Sequence, residues 1–246
     1  MTDPIPTILY DVIDSTNAEA RRRAEAGETG PMWIAASRQT AGRGRRGRDW
    51  ESPTGNLAAT LLLTTEQPPA EAAQLSFVAA LAVADALGEY EPDAPIRVKW
   101  PNDVMIGADK VSGILVESGR AAEGLLWVAI GIGINLAKPP EVTERPATSL
   151  AAHMDDAPPA MEDALEVLAA FFDEWLGLWL SLGFPVVADA WTARAYGLGQ
   201  ICTARLANET LEGIAEGLDE DGALRLRLSD GTIRRINAGD VFFGEA

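Results

Sequence analysis

Between residues 8 and 132 the chain repeats one pattern: apolar runs of strand length, each cut short by glycine, proline, asparagine or aspartate. Runs at 8–12, 33–37, 57–63, 96–100, 104–106, 112–118 and 125–132 read as strands. Helical patterns fall between and after them. Thr16-x-x-Glu19 reads as a capping box that opens a helix carrying Arg21, Arg22 and Arg23 on a solvated face and ending near Gly27. Residues 70–87 read as an alanine-rich buried helix. A proline-rich stretch at 138–159 leads to a helix over 162–182, where Phe171, Phe172, Trp175, Leu178 and Trp179 form one core-facing stripe. Residues 191–199 close this region. Beyond it, 202–206, 212–218, 224–228 and 232–237 alternate like strands around turns at Asn208-Glu209, Glu220-Asp221-Gly222 and Asp230-Gly231. The expected fold is α+β: a mixed sheet packed with helices over residues 1–198, and a small antiparallel β-barrel over 199–246.

The charge balance narrows the function classes. With 20 basic and 37 acidic residues the net charge is −17, which disfavours a broad surface for nucleic acid or anionic membrane. The first residues lack a basic region followed by an apolar core, so no secretory signal is visible. The longest apolar stretch, 75–87, is broken by Asp85 and is too short to span a bilayer. A soluble cytoplasmic protein is expected. One cysteine, Cys202, and one histidine, His153, poorly supply a Cys/His zinc site or a Ser-His-Asp triad. Cys202 reads as a small core residue and His153 as a surface residue.

Against that acidic background, Gly42-Arg43-Gly44-Arg45-Arg46-Gly47-Arg48 places four of the 20 basic residues in one short loop. Glycines bring backbone close to a ligand, and guanidinium forks suit phosphates and carboxylates. Such a loop wants a polyanion, and taken alone it suits RNA as well. Trp50, just beyond, suits either stacking on a base or anchoring the loop by packing. Lys99-Trp100-Pro101-Asn102-Asp103, with Lys110 soon after, holds two of the chain's three lysines beside an Asn-Asp pair fit for phosphates and a hydrated magnesium ion; the bland alternative is a solvated hairpin. Gly131-Ile132-Gly133-Ile134-Asn135 lacks the third glycine and the helix of a dinucleotide fingerprint. It reads as a strand end passing close to a ligand, with Asn135 free to bond a base. Ser15-Thr16-Asn17 reads as a helix start, a place that can also hold a polar ligand group.

Taken together, these segments resemble the biotin protein ligases. The resemblance runs through Asp14-Ser15-Thr16-Asn17, Gln39-Thr40-Ala41 leading into the Gly/Arg loop, Trp50, Ser52-Pro53, Gly55-Asn56-Leu57 and the block from Lys99 to Asp103. It continues through Lys110-Val111-Ser112-Gly113-Ile114-Leu115-Val116-Glu117 and the Gly131 to Asn135 segment, covering nearly the whole chain in order and spacing. It implies a class II synthetase-like catalytic domain and a two-step reaction. Biotin carboxylate attacks the α-phosphate of ATP to give biotinyl-AMP and pyrophosphate; a lysine of a biotin carboxyl carrier domain, as in acetyl-CoA carboxylase, then attacks the anhydride and releases AMP. Mg²⁺ is the implied cofactor, with ligands not identified.

The same resemblance implies the residue roles. Ser15, Thr16, Asn17, Gln39, Gly113 and Leu115 would hold biotin, joined by Arg43, Gly44, Arg45 and Lys110 at its carboxyl. Arg43, Arg45, Arg46, Lys99, Asn102 and Lys110 would serve the ATP phosphates, with Trp50 and Asn135 near adenine. Lys110, Arg43 and Arg45 would be the catalytic cations, stabilising charge rather than moving protons. The glycine loop would order over the adenylate and exclude water. Family members occur as monomers and homodimers, and many carry an N-terminal DNA-binding repressor domain. Here a catalytic strand begins near residue 8, so no repressor function is expected. The segment from Gly55 to Thr60 departs from the family in being shorter and less aromatic. The rival readings are a lipoate ligase or octanoyl transferase, a nucleic-acid binder, and a biotin-binding protein without catalysis; the Gly/Arg loop, the acidic charge and Lys110 weigh against them in turn.

Overall fold

Seven strands form a mixed sheet: β1 (Thr7–Ile13), β2 (Met32–Gln39), β3 (Leu57–Thr65), β4 (Ile96–Lys99), β5 (Asp103–Ile106), β6 (Asp109–Arg120) and β7 (Leu126–Ile134). In the computed structural model, which describes residues 5–141 and 146–244, their order is β1-β2-β3-β7-β6-β5-β4. Only β1 and β2 run parallel; every other neighbouring pair is antiparallel. Residues 142–145 of the proline-rich stretch lie outside the described residues.

In β2, β3 and β7 the period-two alternation sends apolar side chains alternately to two faces of the sheet. Trp33, Ala35, Leu61, Val128, Ile130, Ile132 and Ile134 enter the larger core with α3 (Leu75–Tyr90) and α4 (Met161–Leu182). Ile34, Leu62, Trp127 and Ala129 face the other way, under Ala20 and Ala24 of α1 (Thr16–Glu25). On that second face, β7 continues with Gly131 and Gly133 in place of bulky residues, so the sheet is left open beyond α1.

The helices depart from expectation in ways the packing explains. Helix α1 is capped by Ser15, whose hydroxyl accepts from Ala18 N at 3.4 Å, one residue before the expected box. Glu19 does not close a box: it accepts from Tyr10, Arg22 and Arg23. The alanine-rich stretch is two helices, α2 (Pro69–Ala72) and α3, because tight i→i+3 bonds at Gln74, Ser76 and Phe77 interrupt the helical ladder. The stretch from Pro69 to Tyr90 is the one among the described residues apolar and long enough to cross a bilayer, and it is mostly buried inside the protein. In α4, Phe172 and Trp179 are buried and Phe172 meets Trp33 edge-on at 5.8 Å, but Leu178 is 38% exposed. Its stripe is therefore narrower than the sequence suggests. Residues expected only to close the region form a further helix, α5 (Phe184–Ala193), with Gly183 at φ 77° as its break from α4 and Pro185 in its first turn.

The C-terminal strands are β8 (Ile201–Arg205), β9 (Thr210–Leu218), β10 (Leu224–Arg227), β11 (Ile233–Ile236) and β12 (Asp240–Phe243), ordered β11-β10-β9-β8-β12 and antiparallel throughout. Closure into the expected small barrel is not seen among the described residues. The four-residue β12 pairs along its length with β8, and among these residues no ladder joins it to β11. Its apolar face joins the larger core through Cys202, Ala204, Leu224, Leu226 and Val241. Trp100 Nε1 donates to Gly222 O at 3.1 Å, and Phe77 meets both Phe184 and Trp191 edge-on at 5.3 and 5.6 Å near the seam. Cys202 is buried and its thiol is pushed up to about 11 by desolvation, as a core position requires. His153 is exposed, with Nε2 2.9 Å from Thr148 Oγ1.

Candidate active site

The open half of the sheet is the floor of a cleft of about 560 Å³. Gly113 of β6 pairs with Gly133 of β7, and Leu115 with Gly131, while Ala58 and Thr60 of β3 stand opposite the same glycines. These small residues make room for other side chains rather than for empty space. A Cβ at Gly131 would overlap the Asn17 amide, and one at Gly133 would overlap the Trp50 indole. A Cβ at Gly113 would lie 2.9 Å from both Lys110 Nζ and Trp50 Cζ3. The alternating glycines and isoleucines of the 131–135 segment thus send isoleucine into the core and leave the cleft face flat.

One end of the cleft is a web of neutral polar groups. Ser15, Thr16 and Asn17 are buried. Gln39 Oε1 accepts from Thr16 N at 2.8 Å and Thr16 Oγ1 at 3.1 Å, while its amide nitrogen donates to Ser52 Oγ at 2.9 Å. Asn17 Nδ2 donates to Leu115 O at 3.2 Å and to Glu117 Oε2 at 2.8 Å. Thr60 Oγ1 lies 2.8 Å from Thr16 Oγ1 and 2.7 Å from Asn17 Oδ1. Its single proton satisfies one of these at a time, which leaves an acceptor for a ligand N–H. Gly42 is fixed here too, since a Cβ would meet Trp50 O and Gln39 Nε2.

The β5–β6 hairpin supplies the charged wall. Lys110 Nζ pairs with Asp103 Oδ1 at 2.5 Å and sits 5.4 Å from the centre of the Trp50 ring. Asp103 is 5% exposed. Asn102 Nδ2 donates to Ile114 O at 2.6 Å, and Asn102 Oδ1 accepts from Arg45 at 3.2 Å. Asn135 lies beside this wall, 2% exposed, its nitrogen donating to Thr148 O at 3.0 Å. Its Oδ1 is buried with no hydrogen-bond partner among the described residues, and Asn135 lines the cleft.

The Gly/Arg segment is the roof. It is a hairpin: Trp50 N donates to Gly42 O at 2.9 Å, Arg43 bridges Asp49, and Gly44 N donates to Arg48 O at 2.7 Å. Arg46 takes φ 56° and Gly47 φ 73° at the tip. Three of its cations are held by the protein's own acids and Arg45 by neutral oxygens. Arg43 lies 3.5 Å from Glu117. Arg46 and Arg48 both reach Asp240, at 3.2 and 2.5 Å, and Arg45 donates to Gly239 O at 3.4 Å. Burial pushes the Arg45 guanidinium below its ordinary value.

Of the residues singled out from sequence, Ser15, Thr16, Asn17, Gln39, Arg43, Gly44, Arg45, Trp50, Asn102, Lys110, Gly113, Leu115 and Asn135 line this one cleft. Two do not. Arg46 is taken up by Asp240 at 3.2 Å without itself lining the cleft, and Lys99 is buried in the seam between the sheets, 5.8 Å from the Tyr196 ring centre and 5.7 Å from that of Phe243. Three contributors have no role in the sequence reading: Thr60, Glu117 and Asp240. Asp103 belongs to the Asn-Asp pair read there for phosphates and magnesium, and Glu117 stands inside a recognisable motif. Thr60 shows only as a polar residue in an apolar strand, and Asp240 has no local signal.

The profile described as the Biotin/lipoate A/B protein ligase family matches residues 9–135, and that of the Biotin protein ligase C terminal domain matches residues 197–244. The chain is 45% identical over 236 residues to a biotin–[acetyl-CoA-carboxylase] ligase of Paracoccus denitrificans, covering 94% of this chain and 98% of that one. It is 32% identical to the bifunctional ligase/repressor BirA of Bacillus subtilis, covering 96% of this chain and 74% of that one. The structure of biotin protein ligase from Aquifex aeolicus in complex with biotin and ATP superposes with a TM-score of 0.82 at 29% identity, covering 98% of this chain and 99% of that one.

Proposed function

The chain belongs to the biotin protein ligases, ATP-dependent enzymes with biotin and ATP as substrates, and from that premise we propose that it transfers biotin to one lysine of a carboxylase carrier domain. The observation that carries the proposal is Lys110. It stands on a glycine floor between a neutral polar pocket and a roof of arginines, where two anions would have to meet.

In the first step a biotin carboxylate oxygen forms a bond to the α-phosphorus of ATP, and the bond to the bridging oxygen breaks to release pyrophosphate. The Thr16, Asn17, Gln39 and Thr60 web suits a ureido group, which both donates and accepts. Lys110 leaves Asp103 to bridge the carboxylate and the α-phosphate, a compact charge between groups that otherwise repel. Arg43 and Arg45 cover the same centre. The unpartnered Asn135 Oδ1 suits the exocyclic amine of adenine, and Trp50 suits the base plane. In the second step a carrier lysine amine attacks the biotinyl carbonyl and AMP leaves.

Among the described residues no three His, Cys, Asp or Glu side chains converge on a metal position. Mg²⁺ bound with a nucleotide takes phosphate oxygens and water with one or two carboxylates. Asp103, beside Asn102, would hold it and share the neutralisation of the phosphates. The division into units 1–198 and 199–246 belongs to this proposal, the second unit completing the cleft through Gly239 and Asp240.

Incubation with ATP, biotin and a carboxyl carrier domain should attach one biotin to one carrier lysine, read by intact mass. A carrier left unmodified while biotinyl-AMP accumulates would refute the choice of acceptor. We further propose that the chain does not repress transcription, supported by its charge of −17. A footprint on a biotin-operon promoter at a stated, physiological salt concentration would contradict this.

A further inference from the structure

The roof hairpin at 42–50 is strung between two carboxylates that belong to different parts of the molecule. Asp240 holds its far side from the C-terminal sheet through Arg46 and Arg48. Glu117 holds its near side from β6, and Glu117 has a second attachment. Its Oε2 accepts from Asn17 Nδ2 at 2.8 Å and lies 3.5 Å from Arg43 Nη2, so one carboxylate oxygen serves both the buried pocket and the first arginine of the roof.

The placement follows from the strand. Gly113, Leu115 and Glu117 alternate onto the same face of β6, and the glycine at 131 lets Asn17 lie flat enough to reach both Leu115 O and Glu117. Asn17 is 4% exposed and is fixed at its other end by Thr60. The Arg43–Glu117 pair is far more open, with the side chains 45% and 34% exposed. An ion pair of that exposure is weak by itself. Its strength depends on how much rotamer freedom Glu117 has already lost, and Asn17 is what restrains Glu117.

We propose that Glu117 is a positioning residue that couples the deep pocket to the roof: a ligand that steadies Asn17 steadies Glu117, and Glu117 then keeps Arg43 closed over the adenylate. This rests on the biotin-adenylating reading given above. A weak, pocket-dependent latch suits a roof that must open once per turnover.

The test uses the full chain with biotin and ATP, and separates enzyme-bound from free biotinyl-AMP by rapid filtration, alongside the KM for biotin. Glu117→Gln keeps an oxygen for Asn17 and removes the charge facing Arg43, whereas Glu117→Ala removes both. Glu117→Gln should raise the free fraction several-fold while the biotin KM moves by no more than about twofold, and Glu117→Ala should raise both. Because the two residues act as one latch, Glu117→Gln combined with Arg43→Gln should release no more adenylate than Arg43→Gln alone. Wild-type retention in Glu117→Gln, or effects of the two substitutions that multiply, would overturn the coupling. A wild-type chain that makes no biotinyl-AMP would overturn the underlying reading, and that result is seen before any variant is compared.

Discussion

Lys110 is paired with Asp103 at 2.5 Å, over the Trp50 ring, and the role proposed for it requires exchanging that carboxylate for two substrate oxygens. Under the proposal, removing it takes a compact cation from the point where biotin and phosphate would close. Lys110→Ala should slow single-turnover formation of biotinyl-AMP by roughly 10²-fold or more. Lys110→Arg should recover little, since a planar fork bonded to Asp103 cannot sit between two converging groups. If Lys110→Ala forms the intermediate at the wild-type rate, the catalytic cation lies among Arg43 and Arg45 instead. Most residues of this cleft are legible in the sequence because they fall in short motifs whose chemistry is local. Lys99 shows where that fails. A lysine beside an Asn-Asp pair looks like a phosphate ligand, yet the fold seats it against the paired rings of Tyr196 and Phe243, residues about a hundred positions or more away.

At the scale of the element, the glycines of β6 and β7 divide the sheet into a packed half and a binding half. Gly133→Ala places a methyl group where the Trp50 indole lies, so the ring and the roof hairpin must move. The expected result is a rise of about tenfold in the KM for ATP, measured by initial rates, with the fold intact by circular dichroism. Gly88→Ala is the matched control. It lies in α3 with open space around it, and there the substitution should stabilise by up to about 1 kcal/mol in thermal melts. An unchanged KM for Gly133→Ala would show that Trp50 is not held by the floor. Strand positions are readable because apolar runs of strand length end at turn residues, and in β2, β3 and β7 alternate side chains enter two different cores. Helix ends are less so: Ser15 rather than Thr16 caps α1, and α5 hides behind Gly183, since caps depend on which hydroxyl the tertiary contacts leave free.

In the whole molecule, the C-terminal sheet reaches the candidate active site through the Gly239 carbonyl and the buried side chain of Asp240. Asp240 is 5% exposed and receives Arg46 and Arg48 from the roof. Asp240→Asn removes the charge that neutralises them, so residues 42–50 should exchange amide hydrogens faster and the KM for ATP should rise. Unchanged exchange there would mean that the hairpin stands without the second sheet. No reading of the sequence could find this contact, because nearly two hundred residues separate its partners and Asp240 resembles any turn residue before a strand. The strand pairing of the C-terminal sheet was hidden for the same reason: alternation specifies strands and faces but not which edges meet. The central claim, that the cleft joins biotin to the α-phosphate of ATP, is tested most directly by exchange of labelled pyrophosphate into ATP. Exchange should require biotin and should be at least about tenfold slower with Lys110→Ala than with the wild-type chain. Exchange supported by lipoate or octanoate and not by biotin would contradict the account.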